Sequence, residues 1–264
     1  MAAFLNSIAL RREGDRFQVA VPDAWRVEGA ANGGFVAATL LGAMQERLAR
    51  PDQPPRSLSI HFLRPLLPGS ASISVEVERS GRRLSTVSAA YAQGGRTTAL
   101  ATASLGSTLA AELIEQTLVM PESPPPEGIP PTAIDFGAPF GAFWDYRLTV
   151  GSAPYSGSPA TAIGGWVRTR DVAPVDARVM AAMADCFPPA VLSRLDRRVG
   201  LVPTIDLTVH FRRALPWPAV MPGDFCFALF ETRTVADGYL EEDGAIWAAD
   251  GTLLAQSRQL AILG

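Results

Sequence analysis

One short pattern occurs twice in this chain, and the repeat limits the possible folds more than any other feature. Residues 59–66 read SIHFLRPL and residues 208–215 read TVHFRRAL, and a Pro-Gly pair follows each segment. The chain has two histidines, His61 and His210, and they stand at equivalent positions 149 residues apart. That separation is too long for a solenoid or propeller repeat and is the length of a small domain. The repeat therefore predicts duplication and fusion of one fold.

Length and composition agree with this prediction and exclude several classes of protein. The 264 residues, 48% of them hydrophobic, are enough for two domains of about 130 residues with sizeable cores. A net charge of −3 and scattered arginines argue against a nucleic-acid partner. Cys186 and Cys226 form no CxxC pair, which is typical of proteins in a reducing cytoplasm. Without a signal-peptide pattern or a run of about 20 apolar residues, we expect a soluble, cytoplasmic protein with no membrane partner.

The first half of the chain predicts one buried helix followed by an antiparallel meander. Phe35 to Leu48 is apolar on almost every side, as expected for a buried helix, and Asn32 is in position to cap it. Alternation of apolar and polar residues predicts strands at residues 16–21, 57–63, 71–80, 84–93 and 97–107. This combination predicts a sheet wrapped around a helix.

The second half repeats the plan. A helix is predicted from about Ala177, with Asp176 as its cap and Pro188-Pro189 disturbing it near its middle or end. Strands are predicted at residues 143–150, 162–170, 204–211, 225–235, 238–249 and 252–263.

A proline-rich segment separates the halves. Residues 118–131 contain six prolines, which predicts a stiff, extended connector and not a packed element. The alternative is a surface loop inside a single domain. We predict an N-terminal domain at 1–117, a linker at 118–135 and a C-terminal domain at 136–264.

Four local patterns resemble those of the acyl-CoA thioesterase II (TesB-like) superfamily of double-hotdog thioesterases. They are the helix start GGFVAA at 33–38, HFLRP at 61–65, TIDLTVHF at 204–211 and GTLLAQSRQ at 251–259. The resemblance implies an α+β double hotdog, with two antiparallel sheets each wrapped around a long central helix. It also implies hydrolysis of acyl-CoA to a free carboxylic acid and CoA, without a cofactor, by a homo-oligomer (dimer or higher). Phe35 stands where the family often has Gln, and Leu207 where it often has His.

The resemblance also implies a catalytic trio: Asp185 on the second helix, Thr204 on the following strand and Gln259 on the last strand. Asp185 would activate the attacking water, and its apolar sequence neighbours would raise the pKa of its carboxyl group. Thr204 and Gln259 are neutral and can both donate and accept hydrogen bonds, so they could position that water. The backbone N–H groups of Gly34 and Phe35, at the start of the first helix, are candidates for the oxyanion hole.

Each of these residues also has a structural interpretation. Asp185 could be paired with Arg178 or Arg194, and Gln259 could face solvent. We interpret Cys186 as a small buried residue, not a nucleophile. The two histidines are interpreted as structural residues on polar strand faces, and they give no metal site.

Two other functions remain open from the sequence. A non-catalytic acyl-CoA or acyl-carrier binding protein would explain the departures at Phe35 and Leu207. An enoyl-CoA hydratase of the same fold is disfavoured, because that chemistry usually pairs an Asp with a His, and no His is suitably spaced here. For an acyl-CoA ligand, arginines would meet the CoA phosphates, since guanidinium groups pair well with phosphate oxygens.

Overall fold

The computed structural model describes residues 3–110, 112–133, 138–200 and 202–263. Its α-helices are α1 (Ala3–Ser7), α2 (Gly33–Leu48) and α3 (Ala177–Met183). The strands of the first half are β1 (Arg11–Glu13), β2 (Arg16–Val21), β3 (Arg26–Val27), β4 (Ala30–Ala31), β5 (Pro55–Phe62), β6 (Gly69–Ser80), β7 (Leu84–Gln93) and β8 (Arg96–Gly106). Those of the second half are β9 (Trp144–Val150), β10 (Ala162–Thr169), β11 (Thr204–Phe211), β12 (Cys226–Glu231), β13 (Val235–Ala236), β14 (Tyr239–Trp247) and β15 (Leu253–Ile262).

A single antiparallel sheet runs through both halves. Its order is β1-β2-β6-β7-β8-β5-β11-β15-β14-β12-β10-β9, with β13 added beside β14, while β3 and β4 form a separate ribbon. From the centre outward, the order β5-β8-β7-β6-β2-β1 of the first half is matched by β11-β15-β14-β12-β10-β9 of the second. The two sheets that the resemblance implies are therefore not confirmed: β5 and β11 pair with each other and join the half-sheets into one.

The junction between the halves is built from the repeated segments themselves. Thr208 lies opposite Ser59, its equivalent 149 residues earlier, and the Thr208 hydroxyl donates to the Ser59 Oγ at 3.1 Å. On either side of this pair, His61 lies opposite Asp206 and His210 lies opposite Ser57. Both histidines are exposed, as predicted for polar strand faces. The duplicated strands therefore meet about an approximate twofold axis.

The two halves differ most in their helices. α2 extends over 16 residues, and almost all of its side chains from Phe35 to Met44 are buried against the sheet and α3. α3 has only seven residues, so the prediction of a long central helix in each half is wrong for the second. The chain leaves the helix at Ala184, four residues before Pro188-Pro189, and continues as a short 3₁₀ helix at Ala190–Arg194. Prolines cannot supply the amide donors that a longer helix needs.

Both predicted helix caps are confirmed. The Asn32 side chain accepts a hydrogen bond from the backbone N–H of Gly34, and the Asp176 carboxylate accepts from those of Arg178 and Val179. None of the helices in the described ranges is long and apolar enough to cross a membrane.

The proline-rich segment is extended but packed. Apart from a 3₁₀ turn at Pro126–Gly128 it has no regular structure, as expected for its composition. However, the Trp166 indole donates to the Pro124 carbonyl at 2.8 Å, and Met120 and Ile129 pack against a buried cluster containing Trp166 and Trp247. The expectation that the segment is not a packed element is therefore wrong. The predicted boundary at 135/136 lies outside the described residues.

Candidate active site

Asp185, from the second half of the chain, lies at the N-terminal end of α2, from the first half. Its Oδ2 atom accepts hydrogen bonds from the Asn32 side-chain amide at 2.8 Å and from the backbone N–H of Gly34 at 3.0 Å. The same Asn32 amide also donates to the Asp185 backbone carbonyl at 3.0 Å. A helix N-terminus favours negative charge, so α2 supplies a binding place for this carboxylate. The site is thus formed between the two halves.

Two glycines allow this close approach. A Cβ atom on Gly34 would lie 2.5 Å from the backbone carbonyl oxygen of Ala182, in α3. A Cβ atom on Gly33 would lie 2.8 Å from the Asp185 Oδ2 atom and 3.2 Å from the Phe62 ring. These glycines are the first two residues of α2, which begins two residues before the start predicted for it at Phe35. Their lack of side chains lets α2 contact the segment that carries Asp185.

The surroundings of Asp185 make it a weaker acid than usual. Burial raises the pKa of its carboxyl group from 3.8 to about 7, while the hydrogen bonds from Gly34, Gly33 and Asn32 act in the opposite direction. Among the described residues it has no ion-pair partner: Arg178 pairs instead with Asp176, at 2.7 Å. A carboxylate that is half protonated near neutral pH can act as a general base there.

One oxygen of Asp185 remains available. The hydrogen bonds from the Asn32 amide and the Gly34 N–H both go to Oδ2, and the residue is partly exposed. Oδ2 is therefore the anchored oxygen, and Oδ1 is the one that can accept a proton from a bound molecule.

Thr204 and Gln259 are in direct contact. The Thr204 hydroxyl donates to the Gln259 Oε1 atom at 3.2 Å, between the neighbouring strands β11 and β15. Gln259 is only 7% exposed, so the alternative that it faces solvent is wrong. Its Nε2 atom donates to the Oε1 atom of Glu242 at 2.9 Å, on the next strand, β14. Thr204, Gln259 and Glu242 therefore form a hydrogen-bonded row across three adjacent strands.

Glu242 is a buried acid that sequence reasoning missed. It is 2% exposed, and burial raises the pKa of its carboxyl group to about 7, with the charge of Asp185 acting in the same direction. In the sequence it belongs to Glu241-Glu242-Asp243, which looks like a solvated run of charges. The signal that could have found it is the strand alternation, since Glu242 shares its face with the buried Leu240.

No hydrogen bond within the described residues joins Asp185 directly to Thr204 or Gln259. The link is electrostatic, through the effect of Asp185 on the pKa of Glu242, and structural, through the segment that follows Asp185. The backbone N–H of Ala190, in that segment, donates to the Glu242 Oε2 atom at 2.6 Å.

The two candidates for the oxyanion hole already have acceptors. The backbone N–H of Gly34 donates to the Asn32 Oδ1 at 2.9 Å as well as to Asp185, and that of Phe35 donates to the Asn32 carbonyl at 3.1 Å. The Phe35 side chain is fully buried, with its ring 5.6 Å from that of Trp25. The oxyanion role of Gly34 and Phe35 stays a prediction, and it requires the Gly34 amide to exchange one partner for the substrate.

Cys186, the next residue after Asp185, is a packing residue. It is fully buried, and burial raises the pKa of its thiol well above the usual value, which keeps it protonated. The Tyr146 hydroxyl donates to its backbone carbonyl at 2.6 Å, which holds the turn after Asp185 in place. Within the described residues, no three His, Cys, Asp or Glu side chains are grouped closely enough to hold a metal ion.

Two family models match the chain. Residues 21–106 match the acyl-CoA thioesterase N-terminal domain, and residues 119–263 match the acyl-CoA thioesterase C-terminal domain. The second match begins within the proline-rich segment that packs on the C-terminal half.

Relatives and solved structures agree with these matches. An uncharacterized protein of Mycobacterium tuberculosis is 26% identical in an alignment of 278 positions that covers 94% of this chain and 90% of the relative. A hot dog fold protein of unknown function from Alicyclobacillus acidocaldarius is 27% identical, with a TM-score of 0.91 over 99% of this chain and 98% of its own. A proposed thioesterase II from Thermobifida fusca is 26% identical, with a TM-score of 0.83 over 100% of this chain and 98% of its own. The acyl-CoA thioesterase II TesB2 of Mycobacterium marinum shares the fold. It is 22% identical, with a TM-score of 0.79 over 98% of this chain and 97% of its own.

Proposed function

Since the chain belongs to the acyl-CoA thioesterase family, we propose that this thioester hydrolase converts acyl-CoA and water to a free carboxylic acid and CoA with Asp185 as its general base. The observation that carries the proposal is the state of Asp185. Its carboxylate is anchored through Oδ2 at the start of α2, keeps Oδ1 open, and has a pKa raised to about 7 by burial. That combination is what activation of a water molecule at neutral pH requires.

In the proposed reaction, Asp185 accepts a proton from water as the water oxygen attacks the thioester carbonyl carbon. The C–S bond of the resulting tetrahedral intermediate then breaks, the acyl group leaves as the acid, and the CoA sulfur takes up the proton. The Thr204 hydroxyl donates a hydrogen bond to Gln259, so the lone pairs of its oxygen are free to accept a hydrogen bond from the water. We assign Thr204 and Gln259 to positioning that water.

We further propose that the chain is a double hotdog, with units at 1–117 and 136–264 joined by a linker at 118–135. The matched strand order of the two half-sheets supports this division. Because Asp185 of the second unit contacts Asn32 and Gly34 of the first, both units are then needed to form the active site. The family resemblance further implies that the chain forms a homo-oligomer, dimer or higher.

A non-catalytic acyl-CoA binding protein is the second candidate, and one observation favours it. The Gly34 amide is occupied by the chain itself, so it is not free to stabilise an oxyanion. An enoyl-CoA hydratase has less support, because both histidines occupy exposed positions on β5 and β11, the strands that join the half-sheets.

The proposal is tested by the release of free thiol from a panel of short, long, branched and aromatic acyl-CoAs. We expect turnover of at least one member of the panel above the rate of a heat-inactivated sample. Tight binding of intact acyl-CoA without thiol release over hours would instead identify a binding protein. Loss of enoyl absorbance with crotonyl-CoA, without thiol release, would identify a hydratase.

The rate is expected to depend on pH with an acid limb near neutrality. Because the base must be ionised and the pKa of Asp185 is about 7, kcat/KM should fall at least about tenfold per pH unit below pH 7 and level off above it. The measurement is kcat/KM between pH 5 and 9 with the preferred acyl-CoA. An acid limb near pH 4, or a flat profile, would contradict the assignment of Asp185 as a buried base.

Replacing the Thr204 hydroxyl should slow the chemical step. Thr204→Val keeps the shape of the side chain but removes its oxygen, and we expect about a 30-fold lower kcat with KM changed less than threefold. Thr204→Ser should retain most of the activity. The control is Thr208→Val on the same strand, whose hydroxyl bonds to Ser59 at the junction, and which should remain close to wild type. Equal losses in the two valine variants would contradict the role of Thr204.

A further inference from the structure

We propose that Glu242 is a positioning residue that fixes the orientation of the Gln259 side-chain amide, and through it the hydroxyl of Thr204. The inference rests on the proposed function, because it assigns Glu242 a role in the same hydrolytic site. It is carried by the row of hydrogen bonds across three strands and by the near-complete burial of Glu242.

A side-chain amide has two unlike ends, and its neighbours decide which way it points. An ionised carboxylate can only accept hydrogen bonds, so Glu242 requires the NH₂ group of Gln259 to face it, as observed at 2.9 Å. The Gln259 carbonyl oxygen must then face Thr204, and the Thr204 hydroxyl must donate. The opposite amide orientation would make the Thr204 oxygen accept from Gln259 and compete with the water for its lone pairs.

The surroundings of Glu242 are built for a carboxylate. Three donors face it: the Gln259 amide, the backbone N–H of Ala190 at 2.6 Å and the Thr232 hydroxyl at 3.4 Å. Gln259 bonds to one carboxylate oxygen, and the other two donors bond to the second. A glutamine at this position could accept at only one end, so one donor would face another donor.

Retaining this acid works against stability. Glu242 has no ion-pair partner among the described residues, and burial together with the negative charge of Asp185 disfavours its ionised form. A buried acid that forms no ion pair is a candidate for a functional role, because packing alone would favour an apolar or neutral side chain.

Glu242 also connects the two parts of the site. The bond from Ala190 ties it to the segment that begins at Asp185, while the bond from Gln259 ties it to β15. At the start of the same segment, the Tyr146 hydroxyl binds the Cys186 carbonyl. Glu242 therefore helps to set the position of Asp185 relative to Thr204 and Gln259.

The decisive experiment is a double-mutant cycle with Glu242→Gln and Gln259→Ala. We expect Glu242→Gln to lower kcat about 20-fold with KM changed less than threefold, and to have less than a twofold effect once Gln259 is alanine. Such coupling means that Glu242 acts through Gln259. If Glu242 had only a structural role, Glu242→Gln would lower kcat by the same factor in the wild-type and Gln259→Ala backgrounds. That result would overturn the proposal.

The matched control is Glu241→Gln, at the neighbouring position of β14 on the opposite face. Glu241 accepts from the backbone N–H groups of Arg233 and Thr234, in the loop between β12 and β13. Its replacement should leave kcat within about twofold of wild type, since it contacts no member of the row. A loss equal to that of Glu242→Gln would also overturn the proposal.

A second measurement needs neither activity nor a folded variant. In the wild-type protein, nuclear Overhauser effects from the Gln259 NH₂ hydrogens, measured by NMR, should be stronger to the side-chain hydrogens of Glu242 than to those of Thr204. Stronger effects to Thr204 would overturn the orientation assigned here. If no acyl-CoA in the panel is hydrolysed, the proposed function fails while this measurement still decides the orientation of Gln259.

Discussion

Asp185→Asn is expected to lower kcat for thiol release by about 10³-fold and at the same time to make the folded protein more stable. An amide cannot accept the proton of the attacking water, so the chemical step loses its base. The replacement fits the site, because the amide oxygen can take the place of Oδ2 opposite Asn32 and Gly34. The new NH₂ group then takes the place of Oδ1, which accepts neither of these two hydrogen bonds.

The gain in stability follows from the pKa of Asp185 in the folded protein, about 7, against 3.8 in the unfolded chain. Between these two pH values the folded protein holds a proton that the unfolded chain has released, so the free energy of unfolding falls as the pH rises. Above pH 7 the free energy of unfolding of the wild type is lower by about 4 kcal/mol than it would be with a protonated Asp185, and below about pH 4 there is no such decrease. Asparagine does not ionise, so the variant does not undergo this decrease.

Urea unfolding of wild type and Asp185→Asn at pH 5 and pH 8 measures this effect. The variant should gain about 2–3 kcal/mol more over wild type at pH 8 than at pH 5. Asp15→Asn, at an exposed position of the first half, is the control and should show no such difference. A variant that is inactive but equally stabilised or destabilised at both pH values would contradict the buried, high-pKa state of Asp185. An active variant would remove Asp185 from the mechanism.

Local patterns were sufficient to predict most strands. The predicted and observed bounds coincide for β2, β7 and β11, because buried side chains recur at every second position within each of them. The helix α1 was missed, since five residues carry too little periodicity. It is held by tertiary contacts: the Phe4 ring lies 5.3 Å from Trp25 and 5.2 Å from Trp144, which belong to different halves of the chain.

The joining of the half-sheets could not be read from side-chain patterns. Strands pair through backbone N–H and C=O groups that every residue carries, so alternation does not reveal which edges meet. The repeat marked β5 and β11 as equivalent, but equivalence does not imply contact. Their pairing places Thr208 opposite Ser59, and this contact is what makes one sheet of two.

The candidate site was predictable in its residue types more than in its connections. Asp185, Thr204 and Gln259 came from the family resemblance, and their catalytic roles stay predictions. Asn32 was expected only to cap α2, but an asparagine cap also has an amide donor, and here that donor binds Asp185. Such a second partner, 153 residues away, depends on how the two halves pack and leaves no trace in local sequence.

Gly34→Ala is expected to destabilise the protein by about 3 kcal/mol, which is about a 150-fold change in the unfolding equilibrium. The new methyl group would lie 2.5 Å from the carbonyl oxygen and 3.1 Å from the Cα atom of Ala182, and both are backbone atoms of α3 that cannot rotate away. α2 and α3 must therefore move apart. Because the Gly34 N–H binds Asp185, this movement should also displace the carboxylate and lower kcat in the molecules that remain folded.

Gly42→Ala in the same helix is the matched control. Its methyl group would meet the Arg178 Cδ atom at 3.2 Å, part of a flexible side chain, and alanine is favoured over glycine inside a helix by about 1 kcal/mol. Gly42→Ala should therefore be neutral or stabilising, with full activity. The measurements are urea unfolding and kcat for all three proteins under conditions in which each is folded. If Gly34→Ala had the same stability and the same kcat as Gly42→Ala, the close contact of α2 with α3 would not be needed to hold Asp185 between the two halves.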